Sequence, residues 1–259
     1  MSISPRDLPR DPHCPHKAAA GAFLARNPFP DPGTLGFFYR EKMRAIHRLA
    51  PPRFFGRILD VGGGQSGLTA LLYPEARVTT LDIDPRYGAA APNRWPGVGF
   101  VCGDATQLPF ADASFDAVTL FDLLEHVTAH ERVAAEALRI LRPGGIAMVS
   151  TPRDSWRFPF YRFMQPISRT EDELFAEWGH VRRGYSLREL ATLFHTPPDA
   201  AGGFFTAATA LGHDIVFTRL GRRARKMLWL MASPLTLLGY AFDRRSRTGT
   251  EIVAFWVKP

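Results

Sequence analysis

The sequence predicts an α/β fold in which a mostly parallel sheet is covered by helices on both faces. Short apolar runs alternate with helical stretches, and glycine or proline marks the breaks between them. The 259 residues are 46% hydrophobic and 22% charged, ordinary globular composition with ample material for a core. This length suits one large α/β unit. Disorder throughout, collagen and coiled coil are excluded by the same figures.

Taken in order, residues 1–33 are rich in proline and charge and read as an extended, flexible arm, with the folded domain spanning 34–259. A helical pattern over 35–49, with Phe38, Ile46 and Leu49 apolar, stops at Pro51-Pro52, which cannot continue a helix. Arg57–Val61 (RILDV) reads as a buried strand, followed by glycines and a helix over 66–72. Further strands are expected at 76–81, 98–102 and 115–121. A helix over 129–141 is broken by Pro143-Gly144-Gly145, and 146–150 (IAMVS) is the next strand. Residues 153–185 are aromatic (Trp156, Phe163, Trp178) and lack a clean period, so the span 153–211 reads as a substrate-side insertion with helices. Ser186 and Glu189 form a capping box that starts a helix. Residues 213–220 and 251–257 read as two final strands, separated by a long apolar helical segment.

The net charge is +7, and between positions 219 and 247 eight basic residues face one acid, Asp243, which accounts for all of it. Basicity is therefore local. Inside this region, residues 227–242 (MLWLMASPLTLLGYAF) carry no charge. As a helix they extend about 24 Å, short of a ~30 Å hydrocarbon core, and Pro234 would kink them. The segment 222–245 reads as a core helix, as a lid over an acceptor, or as an interfacial element whose arginines meet anionic lipid. The N-terminus has no apolar segment of the secretory kind. With only Cys14 and Cys102 there is no disulfide framework, so a cytoplasmic setting is expected. His13 and His16 flank Cys14 in a proline-broken stretch without a closed ligand set, and no metal is expected.

The loop after the first strand reads Asp60-Val61-Gly62-Gly63-Gly64-Gln65-Ser66-Gly67. Gly62, Gly64 and Gly67 fit G-x-G-x-x-G. Such glycines let backbone approach a ligand, and the following helix presents free N–H groups. Asp82, at the end of the second strand, is placed to accept hydrogen bonds from ribose. Alone, this pattern suits a dinucleotide as well as other adenosine ligands. Asp60 ahead of the glycines would repel a pyrophosphate but pair with an ammonium group. Gly103-Asp104-Ala105 offers a carboxylate to an adenine amino group. Asp104 and Asp122 also have a plainer reading, as helix N-caps.

In combination, ILDVGGGQSG (58–67), LDIDP (81–85), GDATQLPF (103–110), SFDAVTLFDLLEHV (114–127) and LRILRPGGIAMVSTP (138–152) resemble the class I methyltransferases that use S-adenosylmethionine (SAM), specifically the type 11 group. The resemblance covers about residues 35–152, with Ser66 standing where the family usually has glycine. It implies a seven-stranded sheet whose last strand is antiparallel, and SAM as cofactor. It also implies that Gly62 and Gly64 border the methionine part of SAM and Asp60 its ammonium group. Asp82 would hold the ribose, Asp104 and the Ala105 backbone the adenine, and Phe121 with Asp122 would line the cofactor near the sulfonium.

Methyl transfer is an in-line displacement that depends on positioning. A hydroxyl acceptor benefits from a base, and histidine suits neutral pH. His126 and His180 are the candidates, with Tyr185 beside them on the substrate side; the plainer reading of each histidine is a packing residue. The expected reaction is O-methylation of a small-molecule, glycan or lipid-like acceptor. The alternatives are an NAD-dependent dehydrogenase and a non-catalytic SAM-binding module. Nucleic acid is not expected as a partner. After the fourth strand the chain reads Phe121-Asp122-Leu123-Leu124, without the Pro-Pro-aromatic motif of amino-group base methyltransferases, and the arginine cluster lacks base-stacking aromatics.

Overall fold

Period-two alternation sorts the apolar residues of the central strands onto two faces, and this sorting builds the layers. The computed structural model describes residues 4–29, 31, 35–242 and 249–259. In chain order the elements are β1 (Arg10–Asp11), β2 (Cys14–Ala18), α1 (Ala20–Leu24), α2 (Gly36–Leu49), β3 (Arg57–Val61), α3 (Leu68–Leu72), β4 (Arg77–Asp82), β5 (Val98–Cys102) and β6 (Phe115–Phe121). There follow α4 (His130–Ile140), β7 (Leu141–Pro152), α5 (Glu171–Trp178), α6 (Leu187–Leu193), β8 (Ala200–Phe204), α7 (Ala207–Val216), α8 (Arg222–Phe242) and β9 (Glu251–Val257). Ile58, Ala117, Met148 and Val253 face one layer, with Met43 and Ile46 of α2. Their neighbours Leu59, Val118, Val149 and Ala254 face the other, with Val133 of α4 and Leu190 of α6.

The main sheet has seven strands in the order β5-β4-β3-β6-β7-β9-β8. All contacts from β5 to β7 are parallel, and β9 is antiparallel to both of its neighbours. The expected doubly covered, mostly parallel sheet with an antiparallel final strand is the observed one. Its chain order reverses between β3 and β6, and open α/β sheets bind ligands outside the carboxyl ends of strands at such a point.

Two expectations are corrected. Residues 4–29 do not form an extended arm. They form the β1–β2 hairpin and α1, with Ala18 and Phe23 fully buried. The reason is a tether that local composition conceals. Lys17 Nζ donates to the carbonyls of His47 (3.0 Å) and Ala50 (3.3 Å) at the carboxyl end of α2, where free carbonyls and the helix dipole favour a cation. Residues 213–220 are not a strand either: 213–216 complete α7, and the strand beside β9 is β8. β8 (AAGGF) is a poor strand former by composition. A Cβ on Gly202 would lie 2.9 Å from Leu49 Cδ1, so the bare backbone is what lets α2 lie on this strand. The basic residues Arg244, Arg245 and Arg247 lie outside the described residues.

α7 and α8 pack through small residues. A Cβ on Gly239 of α8 would stand 2.4 Å from Ala208 Cβ of α7. An alanine in a helix interior ordinarily gains up to about 1 kcal/mol over glycine. Here overpacking reverses the sign, and Gly239→Ala is expected to lower stability by about 1–3 kcal/mol. A gain in urea unfolding would show that the two helices are not seated this closely.

Candidate functional site

Four groups from separate elements meet at the carboxyl edge of the sheet. The glycine loop leaves β3 with Gly62 and Gly64 at φ of 69° and 52°, a left-handed conformation that suits glycine. A Cβ at Gly62 would clash with Leu123 at 2.7 Å, and one at Gly63 with Asp60 Oδ2 at 2.6 Å. Gly64 N–H donates to Asp82 Oδ2 (3.1 Å), and Asp84 N–H donates to Asp82 Oδ1 (3.0 Å), which fixes the Asp82 carboxylate at the end of β4. Asn93 Nδ2 donates to the Gly64 carbonyl at 2.7 Å and holds the loop from the other side.

Gly62 and Asp82 border a cleft of about 520 Å³ that Gly103, Asp104, Ala105 and Leu123 also line. The sequence-selected Gly62, Asp82, Asp104 and Ala105 thus line one cleft, whereas Gly64, selected with them, supports it from outside the lining through Asp82. Asp104 caps no helix: it accepts a hydrogen bond from Thr106 N–H (2.8 Å), and that bond lowers its pKa.

Asp60 is placed differently from the expectation. It is buried beneath the glycine loop, accepts from Thr119 Oγ1 at 2.7 Å, and does not line the cleft. Burial raises its pKa to about 6, against the hydrogen bonds from Thr119 and Thr69. Phe121 is a correction. Alternation along β6 turns it, with Thr119, to the α2 layer, where it borders a small gap with Ile46, Met148 and Phe255 rather than the cleft.

Asp122 comes next, at a φ of 50°, a conformation in which aspartate is enriched among non-glycine residues. It caps no helix. It forms an ion pair with Lys42 of α2 and accepts from Ser150 Oγ at 2.7 Å. Burial works to discharge Lys42, but Asp122 and then Tyr39 outweigh it, so its pKa is raised and the ammonium persists. Two further buried carboxyl groups share this cation. Glu125 accepts from Thr151 Oγ1 at 3.0 Å, and burial followed by repulsion from Asp122 raises its pKa to about 8. Glu251, at the start of β9, is raised well above the ordinary value by burial and then by Asp122 and Glu125.

A second cavity, of about 630 Å³, opens beyond Asp122 and is lined by Phe38, Tyr39, Trp156, Trp178, His180 and Glu251 among others. Tyr87, Asp122 and His126 border both spaces. His126 and His180 meet edge to face at 4.7 Å between ring centroids. His126 Nδ1 lies 3.2 Å from the Gly179 carbonyl, whereas His180 Nδ1 is buried without a hydrogen-bond partner. Burial, followed by His126, lowers the His180 pKa to about 4. Ligand atoms of Glu125, His126 and His180 lie within 4.8 Å of one another, a set of types able to hold a divalent cation, although the sequence prompted no metal expectation. Tyr185 is a second correction. Its hydroxyl donates to the Leu124 carbonyl at 2.9 Å in the core behind the site, and it does not reach the cavity.

Lys42, Tyr39, Glu125 and Glu251 were not singled out as site residues. Glu125 lies within a matching motif, but Lys42 and Glu251 come from elements far apart in the chain, and only the β7–β9 register and the α2 packing bring them together.

Comparison with known proteins gives three results. Residues 59–149 match the family model described as "Methyltransferase domain". A demethylmenaquinone methyltransferase from Renibacterium salmoninarum is 40% identical over 96 residues, 36% of this chain and 40% of that protein. The ubiquinone/menaquinone biosynthesis C-methyltransferase UbiE from Desulfotalea psychrophila is 38% identical over 117 residues, 42% of this chain and 47% of that one. The chain thus spans less than half the length of these relatives. The N-methyltransferase NodS from Bradyrhizobium japonicum, solved with S-adenosyl-L-homocysteine, shares the fold at a TM-score of 0.52 and 16% identity, over 93% of this chain and 96% of its own.

Proposed function

We propose, from the match of residues 59–149 to the methyltransferase-domain family model, that the protein uses SAM to methylate a hydroxyl oxygen on a small, planar, largely apolar acceptor. The observation that carries this reading is the junction at Tyr87, Asp122 and His126, which border both the 520 Å³ cleft and the 630 Å³ aromatic cavity. A donor in the first space faces an acceptor in the second. The fit of SAM to the cleft rests on three features. The glycine backbone is bare, Asp82 and Asp104 stand as separate acceptors for ribose and adenine, and the carboxylates under and beside the loop suit a cation. Those carboxylates oppose a pyrophosphate and so disfavour the dehydrogenase reading.

When bound, SAM supplies an electrophilic methyl group on a sulfonium. This chain's residues bind, orient and remove a proton. The rings of Phe38, Tyr39 and Trp178 line the aromatic cavity and give an aromatic acceptor apolar surface to pack against. His180 lines this cavity and, held neutral by burial, is the proton acceptor. Its weak basicity suits a phenolic or enolic hydroxyl better than an aliphatic alcohol.

His180→Ala is expected to lower kcat about 100-fold with SAM affinity unchanged; wild-type turnover would remove it from the mechanism. The pH dependence carries its own sign. A folded pKa of about 4 means that the basic form persists down to that pH and is lost as pH falls through it. Turnover should therefore hold between pH 8 and pH 5. A decline centred near 6.5 would mark a histidine with an ordinary pKa instead.

A second reading, methylation at a ring carbon of a phenolic acceptor, is favoured by the relatives named for quinone-precursor methylation. One experiment tests both: incubation with ¹³C-methyl SAM and a panel of hydroquinones, catechols and aromatic amines, followed by NMR of the products. An O-methyl carbon signal supports the first reading and a ring-methyl signal the second. Methylation of amines alone would overturn both.

A further inference from the structure

We propose that the outer face of α8 docks on the surface of an anionic lipid bilayer, lying in its plane. The helix has a clear inner side: Trp229, Ala232, Thr236 and Tyr240 recur at helical spacing and are buried or half-buried. The opposite side breaks the usual rule for a surface helix. Met227, Met231, Leu235, Leu238 and Phe242 are between 56% and 84% exposed. Their spacing of four, four, three and four puts them in a single stripe. No charge interrupts residues 227–242, about 24 Å of helix at 1.5 Å per residue. An apolar stripe of this length on an exposed helix marks an interaction surface.

Charge identifies the occupant. The first turns of α8 carry Arg222, Arg223 and Lys226, all exposed, and its first turn holds no acid. None of the three is paired with a carboxylate among the described residues. Cations are disfavoured at a helix amino terminus, where the macrodipole is positive, so this cluster is not there to stabilise the helix. Three more arginines, Arg244, Arg245 and Arg247, follow the stripe in sequence. An apolar stripe flanked by basic residues matches an acyl boundary beneath anionic headgroups. A second copy of the chain laid antiparallel on the stripe would instead bring basic ends together. No described helix is long and apolar enough to cross a membrane, so the contact is with one leaflet. The inference stands apart from the methyl-transfer reading.

The test is co-sedimentation of the full chain with vesicles of phosphatidylcholine alone and with added phosphatidylglycerol, at low and high salt. Binding is expected only with phosphatidylglycerol and should weaken at high salt. The exposed substitutions Met231→Glu, Leu235→Glu and Leu238→Glu combined should abolish it. Arg222→Ala, Arg223→Ala and Lys226→Ala combined should weaken it on the order of 100-fold, from about five-fold per cation. SAM calorimetry on both variants should match wild type, which shows that they are folded and separates this inference from the cofactor reading. Equal binding to both vesicle types, no binding to either, or a dimer in sedimentation equilibrium that the glutamate variant dissociates would each overturn the proposal.

Discussion

Asp82→Ala is expected to lower SAM affinity by roughly 3–6 kcal/mol, at least about 100-fold, because two hydroxyl–carboxylate hydrogen bonds at about 1.5–3 kcal/mol each are lost. The residue also anchors the loop, through Gly64 N–H and Asp84 N–H. Asp82→Asn separates the two effects. Its amide oxygen still accepts from a backbone N–H and so keeps part of the loop in place, while the charge and one acceptor go. Calorimetry should rank the affinities wild type, then asparagine, then alanine. Alanine within about three-fold of wild type would remove Asp82 from the cofactor site.

Lys42→Met is the second large effect, and it acts on stability. The lysine is the cation shared by Asp122, Glu125 and Glu251. Removing one member of a buried ion pair costs about 3–5 kcal/mol, because the other charge is left without a partner. The lower end applies here, since Asp122 keeps some solvent contact. The double variant Lys42→Met with Asp122→Asn should recover much of the loss, which urea unfolding of the four proteins measures. The pH dependence has a definite sign. The folded pKa of Glu125, about 8, lies above its unfolded value, so its contribution is fully present below pH 4.5 and is lost as pH rises through 8. Without Lys42 the carboxyl groups are still harder to ionise, and the deficit of the variant should be larger at pH 9 than at pH 6. A deficit that shrinks with rising pH would show that Lys42 does not neutralise this cluster.

The parallel core was legible because its strands are short apolar runs bounded by turn residues. Arg57–Val61, Val98–Cys102, Phe115–Phe121 and Glu251–Val257 have the expected bounds. The cleft was legible for the same local reason, since Gly62, Asp82, Asp104 and Ala105 each sit at or just beyond the end of a strand. What escaped depends on distant partners. Lys17 reads as one more charge in a polar stretch until His47 and Ala50 offer it their carbonyls. Residues 213–220 carry β-branched character, yet His213 and Asp214 are buried in α7. The α5 start, by contrast, was in plain view: Thr170 and Glu173 form a capping box as complete as that of Ser186 and Glu189.

α7 has a position that its length of ten residues does not suggest. On one side Ala208 and Gly212 seat α8. On another, Asp214 accepts from the N–H groups of Phe160 and Tyr161 at 3.0 and 2.8 Å and so holds the start of the aromatic insertion. Between them, His213 forms part of the wall of the larger cavity. One helix of under three turns thus joins the seat of α8, the start of the aromatic insertion and the wall of the larger cavity, so a substitution that unseats it from α8 is expected to disturb that wall as well.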